Sequence, residues 1–390
     1  MPKHVIYQGN VLDVLKNFPD NYVDCIVTSP PYWGLRDYGE ETNVIWGGNS
    51  SCNHEWSNIE TKRPNASGGK TEFAKEKFNI KGKENFKEFV DYHHRVTVSS
   101  FCKKCGAWYG QLGLEPTLDL YLDHLFEIMK ELKRVLKKSG VIFWNHGDCY
   151  GGVKFGKTDK KVSDYVKDSQ KNLRKIAPRY SKCMMLQNYR FILRCVDELG
   201  LILRNIIIWY KPNHMPSSVK DRFTSAYEPI FMLVKSRKYW FDLDAVRIPH
   251  KSKPDFSRVV KTNSKAKNIP WYGGQVRNNH DIHTSYHPIG KNPGDLWIIP
   301  TQPFSESHFA VFPEKLVEPM IKAGCPQEGL VLDPFAGSGT TNIVAEKLGR
   351  NSIGIEINSD YVAIIKKRFE PFLKQAKLNG RTELNIIKVN

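Results

Sequence analysis

The sequence predicts an α/β fold built on one mostly parallel sheet with helices on both faces. Short apolar runs alternate with segments of helical period, and this alternation recurs at both ends of the chain. The two most distinctive motifs each follow a strand-like run directly. Repeated strand–helix alternation implies a parallel sheet covered on both faces. Ligands of such sheets bind beyond the carboxyl ends of the strands, where both motifs lie.

The elements follow in order. His4–Tyr7 reads as a buried strand and Val11–Phe18 as a helix. Asp24–Thr28 is the next strand. Leu118–Lys138 places Leu118, Leu122, Leu125, Ile128, Met129, Leu132, Val135 and Leu136 at helical spacing, with Gly140 expected to end that helix. Val141–Trp144 is a strand, Tyr189–Leu199 a helix, and Arg204–Tyr210 and Pro229–Val234 are strands. Leu330–Asp333 and Ser352–Glu356 are strands followed by helices Thr340–Leu348 and Asp360–Leu373. Three stretches break the pattern: 39–117, rich in Gly, Asn, Lys and Cys; 150–182, basic and polar; and 244–303, with little periodicity. They are expected to be polar insertions that carry recognition. Residues 1–38, 118–243 and 304–390 then form the core domain. No internal repeat is present.

A chain of 390 residues suits one large α/β domain with insertions, or two domains. Its 40% hydrophobic and 25% charged residues are ordinary for a globular protein. No apolar run reaches the roughly 18 residues of a membrane span. The start lacks the apolar core of a signal peptide, so a cytoplasmic protein of a prokaryote or phage is expected. Lys and Arg total 58 against 41 Asp and Glu, a net +17 that attracts polyanions such as nucleic acid. A solvated Lys-rich surface would give the same balance. The eight scattered cysteines read as thiols or metal ligands rather than a disulfide framework.

Val331-Leu332-Asp333-Pro334-Phe335-Ala336-Gly337-Ser338-Gly339-Thr340-Thr341 is a strand, a glycine-rich turn and a helix start. Glycines let a ligand approach the backbone, and the helix start offers free N–H donors. Glu356 ends the following strand about 20 residues on, the spacing at which an acid binds ribose hydroxyls. A structural turn would explain Gly337 and Gly339 alone, and a solvated acid Glu356 alone. Together they predict a nucleoside site, and the missing G-K-[ST] argues against a phosphate loop.

Thr28-Ser29-Pro30-Pro31-Tyr32-Trp33 follows the strand Asp24–Val27. Two prolines fix the backbone and remove N–H donors. Carbonyl oxygens, notably that of Pro30, would point into a site. Ser29 adds a hydroxyl acceptor and Tyr32 a flat face. A proline turn with a core aromatic is the alternative for these residues on their own.

Ser29-Pro30-Pro31-Tyr32 resembles the catalytic tetrapeptide of S-adenosylmethionine-dependent DNA amino-methyltransferases, and Asp333–Thr341 resembles their cofactor motif. The catalytic motif comes first, as in the circularly permuted β class. Ile208–Asn213 with Arg222 and Glu228 resembles the segment after the family's sixth strand; His308–Pro313 resembles the one ahead of the cofactor strand. The resemblance implies a Rossmann-like sheet of seven strands, the last antiparallel. Its third strand would be His4–Tyr7 and its first two would lie within 330–356. Asn10 would sit beside the adenine, where family members often have Asp; a solvated loop residue is the alternative. Asn10, Asp333, Phe335, Gly337, Gly339, Thr340 and Glu356 are thus the candidate cofactor residues.

The implied chemistry is a direct in-line transfer. An exocyclic amine is a poor nucleophile because its lone pair is delocalised into the ring. Acceptors at Ser29 and the Pro30 carbonyl would favour a tetrahedral nitrogen about 3–3.5 Å from the methyl. The base must leave the duplex and stack, with Tyr32 the candidate platform. Trp33 either assists or packs against the core. Ring-carbon methylation would need a cysteine nucleophile preceded by Pro. Cys325-Pro326 has the reverse order, and Cys149 lacks that context. Family members with Ser before Pro-Pro mostly methylate cytosine N4, and those with Asp or Asn mostly adenine N6. Ser29 therefore points to cytosine N4, with adenine N6 as the alternative.

Cys52, His54, Cys102 and Cys105 offer four soft ligands, and Cys102-Lys103-Lys104-Cys105-Gly106 has zinc-knuckle spacing. The expectation is a structural zinc that staples the insertion 39–117; four free side chains are the alternative. Lys62, Arg63, Lys70, Lys75, Lys77, Lys81 and Lys83 lie between these pairs and could meet phosphates, or be solvated loop charge. The family's layout puts target recognition in 244–303, with Arg247, Lys251, Arg258, Lys261, Arg277 and Asn278 as candidates. The expected partner is double-stranded DNA, bound by a monomer or homodimer, with a cognate restriction endonuclease acting separately. Two other classes share some of these features: an RNA or protein-glutamine methyltransferase, and a zinc-stapled DNA-binding protein without activity.

Overall fold

The computed structural model describes residues 3–62, 96–151, 180, 182–250, 287–302, 312–379 and 382–389. The chain begins with β1 (Lys3–Gln8), α1 (Val11–Lys16) and β2 (Val23–Thr28). Then come β3 (Val44–Trp46), β4 (Trp56–Lys62), β5 (Val96–Cys102) and β6 (Trp108–Gly110). The middle holds α2 (Leu118–Val135), β7 (Leu136–Asn145), α3 (Gln187–Asp197), β8 (Ile202–Tyr210), β9 (Tyr227–Val234) and β10 (Leu296–Ile298). The last part holds α4 (Glu314–Gly324), β11 (Leu330–Asp333), α5 (Thr340–Lys347), β12 (Asn351–Glu356), α6 (Ser359–Asn379) and β13 (Glu383–Lys388).

The main sheet runs β10-β8-β9-β7-β2-β11-β12-β1-β13. Strand β9 is antiparallel to both its neighbours, and every other pair is parallel. The seven expected strands are its centre, in the chain order that the permuted arrangement requires. Two strands were not expected: β10 extends one edge and β13 the other. The C-terminal β13 pairs six residues of β1 in register from Lys3↔Glu383 to Gln8↔Lys388.

Side chains alternate between the two faces, as a pleated strand requires. Ile142 and Trp144 of β7 join the core beneath α1, α2 and α3. Val141 and Phe143 join the opposite core beneath α4 and α5. Thr117 caps α2, accepting from Leu120 N at 3.2 Å. That helix ends at Val135 rather than Lys138, because Leu136 is already extended and pairs with Val23. Gly140 therefore lies inside β7 and does not cap the helix.

Segment 39–117 contains a four-stranded antiparallel sheet, β3-β6-β5-β4. Trp46 and Trp108 stack on His124 of α2 at 4.6 and 5.3 Å, so this sheet shares the main core. No helix among the described residues is long and apolar enough to cross a membrane.

The fold sets the two motifs side by side. Strands β2 and β11 are neighbours, paired at Val331↔Cys25 and Leu332↔Ile26. At their ends the buried Asp333 accepts from Thr28 Oγ1 at 2.7 Å, from Thr341 Oγ1 at 2.6 Å and from Phe335 N at 3.0 Å. One carboxylate thus ties the strand before the Pro-Pro turn to both ends of the glycine loop. Burial pushes its pKa up to about 6 even though these three donors oppose the shift. Asp333→Ala would strand two buried hydroxyls and lower stability by about 1–3 kcal/mol. Urea denaturation should show an earlier midpoint; an unchanged midpoint contradicts the staple.

Candidate active site

The carboxyl ends of β2, β11, β12 and β1 form one row, since these strands are consecutive in the sheet. Along this row lie the Ser29–Tyr32 turn, the Phe335–Thr340 loop, Glu356 and Asn10. The residues singled out in the sequence therefore share one edge, with the proline turn and Asn10 at opposite ends.

The proline turn is fixed by a chain of neutral groups. Trp144 Nε1 donates to His146 Nδ1 at 3.3 Å, His146 Nε2 lies 3.1 Å from Tyr121 Oη, and Tyr121 Oη donates to the Pro31 carbonyl at 2.8 Å. An indole N–H only donates and a carbonyl only accepts, so His146 carries its proton on Nε2. Burial lowers the His146 pKa to about 3, which keeps the ring neutral. The Pro31 carbonyl is thereby occupied. Among the described residues no donor reaches the Pro30 carbonyl, which is left as an acceptor.

Tyr32 is half-buried, and one face of its ring lies on His146 at 5.3 Å and 30°. A Cβ on Gly147 would come within 2.7 Å of the ring, so the glycine admits it. The Tyr32 hydroxyl receives Ser29 Oγ at 3.1 Å and reaches Glu228 Oε2 at 3.0 Å and Asn145 Oδ1 at 3.4 Å. Burial first, then the Glu228 carboxylate, push its pKa well above the usual phenol range. Glu228 also pairs with Lys211. Trp33 gives its indole N–H to the Glu115 carbonyl at 2.8 Å and packs against the core, the second of its two expected roles.

The glycine loop fits a nucleoside. Gly337 and Gly339 have φ of +52° and +76°, which side-chain-bearing residues rarely adopt. A Cβ on Gly337 would meet nothing within 4 Å, so the loop faces open space. Glu356 accepts from Gly337 N at 2.7 Å and Asn358 N at 2.9 Å, and each oxygen keeps a lone pair for a further donor. Burial pushes its pKa up to about 7. Asn10 caps α1 by accepting from Leu12 N at 2.9 Å. Phe335 is half-buried against Trp144, and Arg368 donates to Thr340 Oγ1 at 3.0 Å.

Cys52, His54, Cys102 and Cys105 converge, with their ligand atoms within 4.8 Å of one another. Cys52 and Cys102 sulfurs are 3.9 Å apart, and Cys105 Sγ lies 3.4 Å from His54 Nδ1. Tetrahedral zinc with bonds of about 2.0–2.3 Å needs ligand spacings of about 3.3–3.8 Å, which the cluster approaches.

Sequence reasoning missed Tyr121, His146 and Asn145, and gave Thr28 and Lys211 no role of their own within the segments it singled out. His146 and Asn145 were signalled only by lying at a strand end and Tyr121 only by its helical period, since their partners come from distant segments. Burial pushes the Cys149 and Cys325 thiols up to about 12, which suits neither to be a nucleophile. Of the recognition candidates, Arg247 lies within the described residues and donates to Asp244 at 2.6 Å and to the Gly290 carbonyl at 3.2 Å. Lys62 ends β4. Arg63, Lys70, Lys75, Lys77, Lys81, Lys83, Lys251, Arg258, Lys261, Arg277 and Asn278 lie outside the described residues, as does most of His308–Pro313.

Comparison with known proteins agrees with this geometry. The sequence profile of a family described as DNA methylase, covering N6 and N4 enzymes, matches residues 23–367. The type II methyltransferase M.XycI of Xanthomonas campestris pv. cyanopsidis is 30% identical, over 94% of this chain and 87% of its own. M.Cfr9I of Citrobacter freundii has the same identity and coverage, and M.SfiI of Streptomyces fimbriatus is 26% identical over 93% of this chain and 90% of its own. A solved PvuII DNA methyltransferase, described as cytosine-N4-specific, shares the fold at 18% identity and a TM-score of 0.52, covering 98% of this chain and 97% of its own. This chain belongs to the N6/N4 DNA methylase family and is an S-adenosylmethionine-dependent DNA amino-methyltransferase of the β class.

Proposed function

We propose that this protein methylates the exocyclic N4 of cytosine at a specific site in double-stranded DNA, as the modification half of a restriction–modification system in a prokaryotic cytoplasm. A separate nuclease would cut the unmodified site. The observation that carries this reading is the Pro30 carbonyl beside Ser29, without a donor among the described residues and one strand from the glycine loop. Ser29 favours cytosine over adenine, and the PvuII enzyme that shares this fold is cytosine-N4-specific.

When bound, S-adenosylmethionine supplies an electrophilic methyl on a sulfonium. The chain's own residues would do the rest. Glu356 accepts from the ribose hydroxyls, Gly337 faces the open space that admits the nucleoside while Gly339 makes room for Ile365, and Asn10 lies at the adenine end. The Pro30 carbonyl and Ser29 Oγ accept the amine hydrogens of a flipped base and hold its nitrogen in line with the methyl. The open face of Tyr32 receives the base. Cys52, His54, Cys102 and Cys105 hold a structural zinc that secures the small sheet.

Methyl transfer to duplex DNA, followed by nucleoside mass spectrometry, should give N4-methylcytosine. N6-methyladenine would select the adenine reading. Methylated RNA or glutamine, or DNA binding without transfer, would overturn this function. Cofactor affinity should fall as pH drops below about 7, because proton uptake by Glu356 removes the acceptor that the ribose needs; the limit is about tenfold per pH unit. Glu356→Gln should bind more weakly and flatten this profile in calorimetry, and an identical profile would remove Glu356 from the site. Metal analysis should find about one zinc per chain, lost in Cys102→Ser/Cys105→Ser with a lower melting temperature. A zinc-free protein of full stability would contradict the metal site.

A further inference from the structure

We propose that Glu228, acting through the Tyr32 hydroxyl, holds the Ser29 hydrogen away from the substrate amine and receives the proton released by methyl transfer. The inference rests on the methyl-transfer reading above and deepens it.

The direction of the hydrogen bonds follows from which groups can donate. Glu228 is a carboxylate paired with the Lys211 ammonium, so it only accepts. Tyr32 therefore gives its single proton to Glu228 Oε2 at 3.0 Å, in preference to the neutral Asn145 amide oxygen at 3.4 Å. Having given its proton away, Tyr32 Oη can only accept from Ser29 Oγ, 3.1 Å distant. The Ser29 hydrogen is committed, and its remaining lone pairs are turned to the amine as an acceptor. Without this chain, Ser29 could equally point its hydrogen at the nitrogen and oppose the reaction.

Three elements meet at Glu228. It stands on β9 opposite Trp209 of β8, Lys211 follows the end of β8, and Asn145 ends β7. Lys211 also lies 4.3 Å from the Trp209 ring, which fixes its ammonium. Glu228 touches no reacting atom, so it is a positioning residue.

The step balances. The amine lone pair forms the new N–C bond, and the C–S pair stays on sulfur. The nitrogen then carries an excess proton, which passes to Ser29 Oγ. The Ser29 proton moves to Tyr32 Oη, and the Tyr32 proton moves to Glu228 Oε2. Each hydroxyl ends with one proton and Glu228 becomes neutral.

The test separates the Tyr32 hydroxyl from its ring. Tyr32→Phe keeps a platform for the base but breaks the chain, and Glu228→Gln removes its end. Each should lower kcat at least about tenfold. Cofactor affinity and KM for DNA should stay within about twofold, because neither group binds either ligand uniformly. The double variant should be no slower than the slower single one, since both break one chain. Glu228→Asp should recover part of the rate. A Tyr32→Phe enzyme at wild-type kcat, or single effects that multiply in the double variant, would overturn the relay while leaving wild-type methyl transfer intact. A loss confined to KM or to melting temperature would show a merely structural role and equally overturn it. A wild-type chain that transfers no methyl would instead overturn the functional reading, and the relay with it.

Discussion

The pairing of β2 with β11 is the constraint on which the rest depends. Thr28 and Asp333 are 305 residues apart in sequence, yet they share a 2.7 Å hydrogen bond at neighbouring strand ends. An unpaired carboxylate in that interior would be expensive, and three donors from a strand, a loop and a helix start offset the cost. The bond is directional, so it fixes the turn and the loop relative to each other more tightly than apolar packing would. Strand order then arranges the remaining chemistry. The Pro30 carbonyl with Ser29, the glycine loop, Glu356 and the Asn10 helix cap succeed one another along a single edge.

Two hydrogen-bonded chains converge on the proline turn. One runs from Trp144 through His146 and Tyr121 and occupies the Pro31 carbonyl. The other links Lys211, Glu228, Tyr32 and Ser29. The first is neutral because His146 is buried too deeply to ionise, whereas the second ends on an ion pair. Prolines supply no N–H of their own, so the turn depends on these outside groups for its orientation. The loop between β6 and α2 contributes as well: Glu115 accepts from Gly113 N beside the turn and contacts His124 of α2.

The parts of this site that were legible in the sequence have local causes. A Pro-Pro pair fixes its own backbone, and glycines at positive φ mark a loop that approaches a ligand. The Cys102–Cys105 knuckle declares its spacing, and the structure brings the distant Cys52 and His54 to it. What was not legible arises from tertiary contact. Tyr121 follows the same helical period as the buried leucines of α2, and only its neighbour His146 gives its hydroxyl a role. Gly140 looked like a helix stop, but pairing of Leu136 with Val23 ended the helix first. Strands β10 and β13 went unseen because one has three residues and the other is mostly exposed, so neither carries an alternating pattern. The small antiparallel sheet was hidden by its Gly- and Lys-rich composition; its tryptophans anchor it to α2 rather than to a core of its own.

The central claim is that the proline turn and the glycine loop form one site. Hydrogen–deuterium exchange with and without S-adenosylmethionine tests it most directly, because slowed amide exchange reports both contact and ordering. Protection should rise together in the peptides that span Thr28–Leu35 and Phe335–Thr341. Protection of the second alone, or of neither, would contradict the account.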